Sequence, residues 1–315
     1  PMKRSALLVT LLTGLLMAGT SQASWLGSLF SSTYTKTKYP IVLVPGVMGF
    51  DSLLGIDYWY RIPAELRKDG AQVYVVQLSA FNSTEARGEQ LLAQVKQIVA
   101  ATGAGKVNLI GHSHGGPTAR YVAGVRPDLV ASVTTISAPH KGTPIADLMA
   151  KVPEGGAIEG VLGTVLDAFA VVVDFLSGGG LPQDTFASIR SLDSKGMAAF
   201  NARFPQGVPT TACGSGAATG SNGMRFYSWA GSKPLTNVFD ISDLLTGAAS
   251  LTMGGQRSDG IVPACSARFG TVIRDDYRMN HLDEINLLFG LTDLFETDPV
   301  AVYRTHANRL KNAGL

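Results

Sequence analysis

Charge is scarce in this 315-residue chain. Charged residues make up 16% of it, with Lys+Arg at 26 and Asp+Glu at 24 for a formal net charge of +2. A protein that grips nucleic acid through its backbone needs a basic face, and this balance supplies none. Internal repeats and long charge runs are also missing. There are two cysteines, so at most one internal disulfide. No apolar run reaches the ~20 residues a membrane-spanning helix needs. What is present in quantity is apolar and small: 45% hydrophobic residues, mean hydropathy +0.17 and 36 glycines. That composition excludes a disordered chain and implies a large core with many tight turns.

The first residues account for part of the hydrophobicity. Lys3 and Arg4 precede an apolar run over 6–17, followed by Ser21-Gln22-Ala23. A basic start, an apolar stretch of about 12 residues and a small-x-small site read as a secretory signal peptide, 1–23, ahead of one domain over 24–315. Its removal leaves 24 basic and 24 acidic residues, a neutral mature chain. Export to an oxidising compartment favours pairing Cys213 with Cys265. Closing a loop of some fifty residues would contribute about 3–4 kcal/mol on chain-entropy grounds.

Along the chain, apolar segments at 39–44, 71–76, 106–111 and 130–137 read as buried strands, with shorter ones at 250–253 and 271–273. Helical spacing covers 63–69, 117–125, 300–311 and, with Leu91, Leu92, Val95, Ile98 and Val99 on one face, 85–101. Strands with apolar centres alternating with helices predict a mostly parallel sheet covered on both faces, a doubly wound α/β fold. One segment interrupts the alternation. Residues 157–176 carry an apolar stripe opposite Glu159, Asp167 and Asp174, bracketed by glycines at 155–156 and 178–180. Three acids on one face argue against a membrane span. An ordinary core-facing helix and a lid over 155–178 that covers a site and meets lipid are both open readings.

The chemistry centres on Gly111-His112-Ser113-His114-Gly115. As a pentapeptide it is weak, but it follows a strand and opens a helix, which is the context of a nucleophile elbow. Small residues at 111 and 115 suit a strained turn, and the helix N-terminus favours developing negative charge. In this fold class the base and its acid follow the serine as Asp or Glu and then His. Of His140, His281 and His306, His140 comes too early for an acid to intervene. His306 sits on the 300–311 helix, where a surface position is expected, which leaves His281 as base. Asp259, in Ser258-Asp259-Gly260, is the best-placed acid, with Asp240, Asp243 and Asp283 competing. Oxyanion donors are expected from the backbone N–H of His114 and, in the loop after the first strand, of Val47.

The stretches Tyr39-Pro40-Ile41-Val42-Leu43, Asp57-Tyr58-Trp59, Asn108 through Pro117, Ala138-Pro139-His140-Lys141-Gly142 and Arg278 through Glu284 carry a resemblance. The chain resembles the Pseudomonas-type secreted triacylglycerol lipases over essentially its whole mature length. The resemblance implies an α/β-hydrolase fold with a helical lid and hydrolysis of long-chain acylglycerols at the lipid–water interface. It also implies a dedicated foldase and one structural Ca²⁺. Residue by residue it implies Ser113, Asp259 and His281 as triad, Val47 and His114 as oxyanion donors, and Cys213–Cys265 as the disulfide. Asp240 and Asp283 would be the calcium carboxylates, with the carbonyls of Leu287 and Leu291. Two positions depart from the pattern. Pro45 replaces the usual histidine before the oxyanion glycine, removing an N–H that the proposed donor does not use. Leu287 stands where relatives carry a polar residue, a change to which a carbonyl ligand is indifferent. The expected product is a secreted, extracellular, monomeric lipase. The rivals are an esterase for short soluble esters and a non-catalytic lipid-surface binding protein on the same fold.

Overall fold

Ile41, Val42, Leu43 and Val44 are all fully buried, which a strand achieves only inside a sheet covered on both faces. The computed structural model describes residues 32–47, 52–53, 56–152, 183–287 and 289–315; the expected signal peptide (1–23) and lid (155–178) lie outside the described residues. In chain order the strands are β1 (Ile41–Val44), β2 (Ser52–Leu53), β3 (Ile56–Asp57), β4 (Val73–Val75), β5 (Val107–His112), β6 (Val130–Ile136), β7 (Arg225–Gly231) and β8 (Thr271–Tyr277). β2 and β3 pair antiparallel with each other. The other six form one sheet in the order β4-β1-β5-β6-β7-β8, parallel throughout.

The two-residue period of the strands sorts their side chains into two cores. Ile41 and Leu43 of β1, Ile110 of β5, Ile136 of β6 and Trp229 of β7 point to one face. There they meet Ile62 and Leu66 of α1 (Ile62–Lys68) and Val302, Tyr303 and Ala307 of the C-terminal helix, Pro299–Asn312. Val42, Val44, Leu109, Val133 and Phe226 point to the other face. They pack on α2 (Thr84–Thr102) and α3 (Gly115–Val125). α2 starts where the Ser83 hydroxyl accepts a hydrogen bond from Ala86 N at 3.1 Å, and it stops at Gly103 in the left-handed region at φ 66°. Further helices are α4 (Pro144–Met149), α5 (Thr185–Leu192), α6 (Ser194–Arg203) and α7 (Ser242–Ser250); the C-terminal helix is α8.

The α/β class and parallel sheet are as expected, with three local differences. The predicted strand at 250–253 is instead the end of α7 and a 3₁₀ turn, Leu251–Met253, because Gly247, Ala248 and Ala249 continue a helix whose buried face carries Thr246, Ala249 and Met253. β7 was not anticipated: it lies inside the sheet with both faces buried, so its sequence shows no alternation. His306 is not at the surface but fully buried. Its Nε2 bonds the Thr134 hydroxyl at 2.8 Å, and burial beside Arg309 holds the ring neutral, its pKa near 3. Cys213 and Cys265 are bonded, with Cα atoms 4.6 Å apart.

Candidate active site

Ser113 sits in the turn between β5 and α3 with φ 54°, a left-handed conformation that costs a non-glycine residue on the order of 1–3 kcal/mol. Packing supplies the means to hold it there. Its N–H donates to the Ile136 carbonyl at 2.9 Å, and its own carbonyl accepts from Gly116 N at 2.9 Å. The glycines of the motif are required by close approach: a Cβ on Gly111 would overlap the Gly115 carbonyl, and one on Gly115 would overlap the carbonyl of Val44 in β1. The elbow is thus wedged between two strands, with the hydroxyl just past the C-terminal end of β5 at the start of α3.

His281 and Asp259 come from the loops on either side of β8. Asp259 is fully buried, and one carboxylate oxygen accepts from Ile261 N at 2.8 Å and Val262 N at 2.7 Å. Its other oxygen lies 2.7 Å from His281 Nδ1, while His281 N–H donates to the Asp259 carbonyl at 3.0 Å. The carboxylate therefore fixes the Nδ1–H tautomer and leaves Nε2 free to accept a proton. Ser113 and His281 line the same pocket, with Val47 on its rim and Leu245, Ile261 and Leu287 as apolar wall. Competing acids are placed elsewhere. Asp243 accepts from Thr236 N, Asn237 N and Asn280 Nδ2 at 2.7, 2.9 and 2.9 Å, tying loops together. His140 is buried against Arg120 and Thr135.

Four residues around this pocket were not singled out for a role by sequence reasoning. Arg87, fully buried on α2, donates to the carbonyls of Pro45 at 2.5 Å, Gly46 at 2.9 Å and Ser79. Among the described residues it pairs with no carboxylate, and burial lowers its pKa to about 10. Its signal was an arginine in register with Leu91 and Val95 on the apolar stripe, four and eight residues on. Tyr58 and His112 link the same loop to the base. Glu284 is buried, its Oε1 accepting from the Ser137 hydroxyl at 2.5 Å and from Gly231 N. Burial and the nearby Asp259 charge push its pKa up. The ring of His114 bonds the Thr84 hydroxyl at 2.9 Å, pinning the residue whose N–H opens α3.

Two buried donor sets are candidate cation sites. His112, His281 and Glu284 bring one donor atom each within 4.8 Å of one another. Both His112 nitrogens and His281 Nδ1 are already hydrogen-bonded, and nitrogen donors do not suit a hard ion. Asp240 and Asp283 fit better. Both are buried, they face each other, and neither is paired with a cationic side chain among the described residues. Burial, and beyond it the adjacent Asp240, raises the Asp283 carboxyl to about 8. Their loops are drawn together by Asn237 Nδ2 donating to the Thr292 carbonyl at 3.1 Å, and Leu287 and Leu291 lie on the same return loop.

A strained serine between strand and helix, on a parallel sheet with a histidine–carboxylate pair beyond it, defines an α/β hydrolase. Residues 39–285 match the alpha/beta hydrolase fold family. A triacylglycerol lipase of Vibrio cholerae is 56% identical over 94% of this chain and 96% of its own length. Those of Burkholderia plantarii and Pseudomonas fragi are 42% and 40% identical, over 95% and 89% of this chain and 93% and 98% of their own. A mature Bacillus licheniformis lipase structure superposes with a TM-score of 0.59 at 20% identity, covering 87% of this chain and 93% of that one. The chain belongs to the bacterial triacylglycerol lipase family of α/β hydrolases.

Proposed function

We propose that the protein hydrolyses long-chain triacylglycerols through an acyl-enzyme on Ser113. His281 Nε2 takes the Ser113 proton as Oγ bonds to the ester carbonyl carbon. The Val47 and His114 N–H groups bind the resulting oxyanion, and Asp259 stabilises the imidazolium. His281 then delivers the proton to the alkoxide as the C–O bond breaks and diacylglycerol leaves. Water, deprotonated by the same ring, attacks the acyl carbon, and the ring returns that proton to Ser113 Oγ as the Oγ–C bond breaks and the fatty acid leaves. The observation that carries the reading is the shared pocket: Ser113 and the Asp259-oriented His281 face one apolar-walled space with Val47 at its rim. The names of the full-length relatives support the same substrate class.

In this reading residues 155–178 cover the pocket in water and open at the lipid–water interface. The 1–23 leader directs an extracellular monomer whose folding a foldase assists. Calcium held by Asp240, Asp283 and the carbonyls of Leu287 and Leu291 neutralises two buried carboxylates and anchors the loop that carries His281. The test compares a long-chain triglyceride emulsion with a soluble short-chain ester, using Ser113→Ala as blank. Strong emulsion turnover that vanishes in the variant is expected. Activity confined to the short ester would make the protein an esterase, and activity surviving in Ser113→Ala would end the serine mechanism.

A further inference from the structure

Gly46 N–H donates to the Tyr58 hydroxyl oxygen at 2.9 Å, and that oxygen lies 2.7 Å from His112 Nδ1. At the other edge of the ring, His112 Nε2 lies 3.0 Å from the carbonyl oxygen of His281. The direction of this chain is forced at both ends. A backbone N–H can only donate, so the Tyr58 oxygen accepts from Gly46 and its own proton goes to His112 Nδ1. A backbone carbonyl can only accept, so His112 carries its proton on Nε2 and donates it to His281. In this direction both ring nitrogens of His112 are partnered, and the whole run is buried.

The two ends are the two halves of the reaction centre. Gly46 immediately precedes Val47, and it packs so closely on the elbow that a Cβ there would sit 2.7 Å from the Ser113 Cβ and 3.0 Å from the Tyr58 hydroxyl. Arg87 holds the same loop from behind through the Pro45 and Gly46 carbonyls. The His281 carbonyl belongs to the base itself. We propose that Tyr58 and His112 are positioning residues that lock the Val47 N–H and the His281 ring into one register by a single directed hydrogen-bond chain. The inference rests on the acyl-enzyme reading above. Neither residue needs to touch the reacting atoms: a misplaced donor weakens oxyanion binding with little effect on substrate binding.

Tyr58→Phe removes the middle oxygen and nothing else. On a soluble short ester, kcat is expected to fall roughly 10-fold or more, with KM within about 2-fold, as for an interaction made in the transition state. Fluorophosphonate labelling of Ser113 should slow in step. His112→Asn breaks the same chain, and should Tyr58→Phe fail to fold, it carries the test. Combined, the two substitutions should cost no more than the worse one alone, because a chain broken once is already broken. In the unmodified protein, nitrogen-15 spectra of the five histidines should show His112 neutral with its proton on Nε2. A folded Tyr58→Phe with unchanged kcat, multiplicative losses in the double variant, or a proton on His112 Nδ1 would each overturn the proposal. Failure of the underlying lipase reading has a different signature, hydrolysis that survives Ser113→Ala.

Discussion

Asp259 and Gly115 each sit in surroundings that a near-isosteric replacement does not fit. Asparagine at 259 would keep the oxygen that accepts from Ile261 and Val262 but present N–H to His281, forcing the proton onto the wrong ring nitrogen. Asp259→Asn should therefore lose on the order of 10³–10⁴ in kcat while thermal melting stays within a few degrees, measured on a soluble ester. Gly115→Ala drives a methyl into the Val44 carbonyl, which is backbone and cannot swing aside. That variant should lose both activity and about 1–3 kcal/mol of stability in denaturant titration. The catalytic candidates were readable in sequence because their order along the chain is constrained by the fold. Tyr58, Arg87 and His112 were not, because their roles depend on which backbone groups lie within 3 Å, and no spacing rule reports that. His306 failed for the opposite reason. A polar residue on an amphipathic helix looks solvated, yet here the neutral ring is satisfied by Thr134 inside the core.

Among the elements, legibility followed length and burial. The nineteen-residue α2 was placed to within a residue, since a Ser83 cap and a Gly103 stop agree with its stripe. Four residues at 250–253 carry too little periodicity to tell a strand from a helix end, and β7 hides its pattern because both its faces are covered. The loops after β7 and β8 make a sharper prediction. Asp283 is raised above its ordinary 3.8, so the ion-free folded protein holds a proton that the unfolded chain has released. Stability of the chelator-treated protein should then fall as pH rises from about 4 toward 8, and calcium should flatten that slope. Asp240→Asn should melt no lower than the parent in chelator, because it removes the like-charge contact, yet gain nothing from added calcium. Calorimetry in both conditions decides this. Elsewhere, the Cys213–Cys265 bond spans 52 residues. Replacing both cysteines by serine should lower stability by about 3–4 kcal/mol in denaturant titration.

At the scale of the whole molecule, the surface carries an apolar rim. Phe239 on the loop after β7, Leu244 on α7, and Leu294 and Phe295 on the loop after β8 are each more than three-quarters exposed; Asn237 joins the two loops, and Leu244 adjoins the pocket-lining Leu245. Among the described residues no helix is long and apolar enough to cross a membrane. A rim of this kind suits resting on lipid. Phe239→Asp with Leu244→Asp should cut turnover of emulsified triglyceride roughly 10-fold or more, at about 1.5–3 kcal/mol per buried apolar side chain, and leave a soluble ester unaffected. The parallel sheet has one more consequence, in time and not in space. The groups that face the pocket are recruited from position 47 to position 287, and the bond that aligns His281 needs the loops on both sides of β8, the last strand of the sheet. A chain emerging N-terminus first carries its serine elbow long before it owns a base. On the proposed mechanism the protein is born inert, and it gains the His281–Asp259 pair only as the loop after β8 settles.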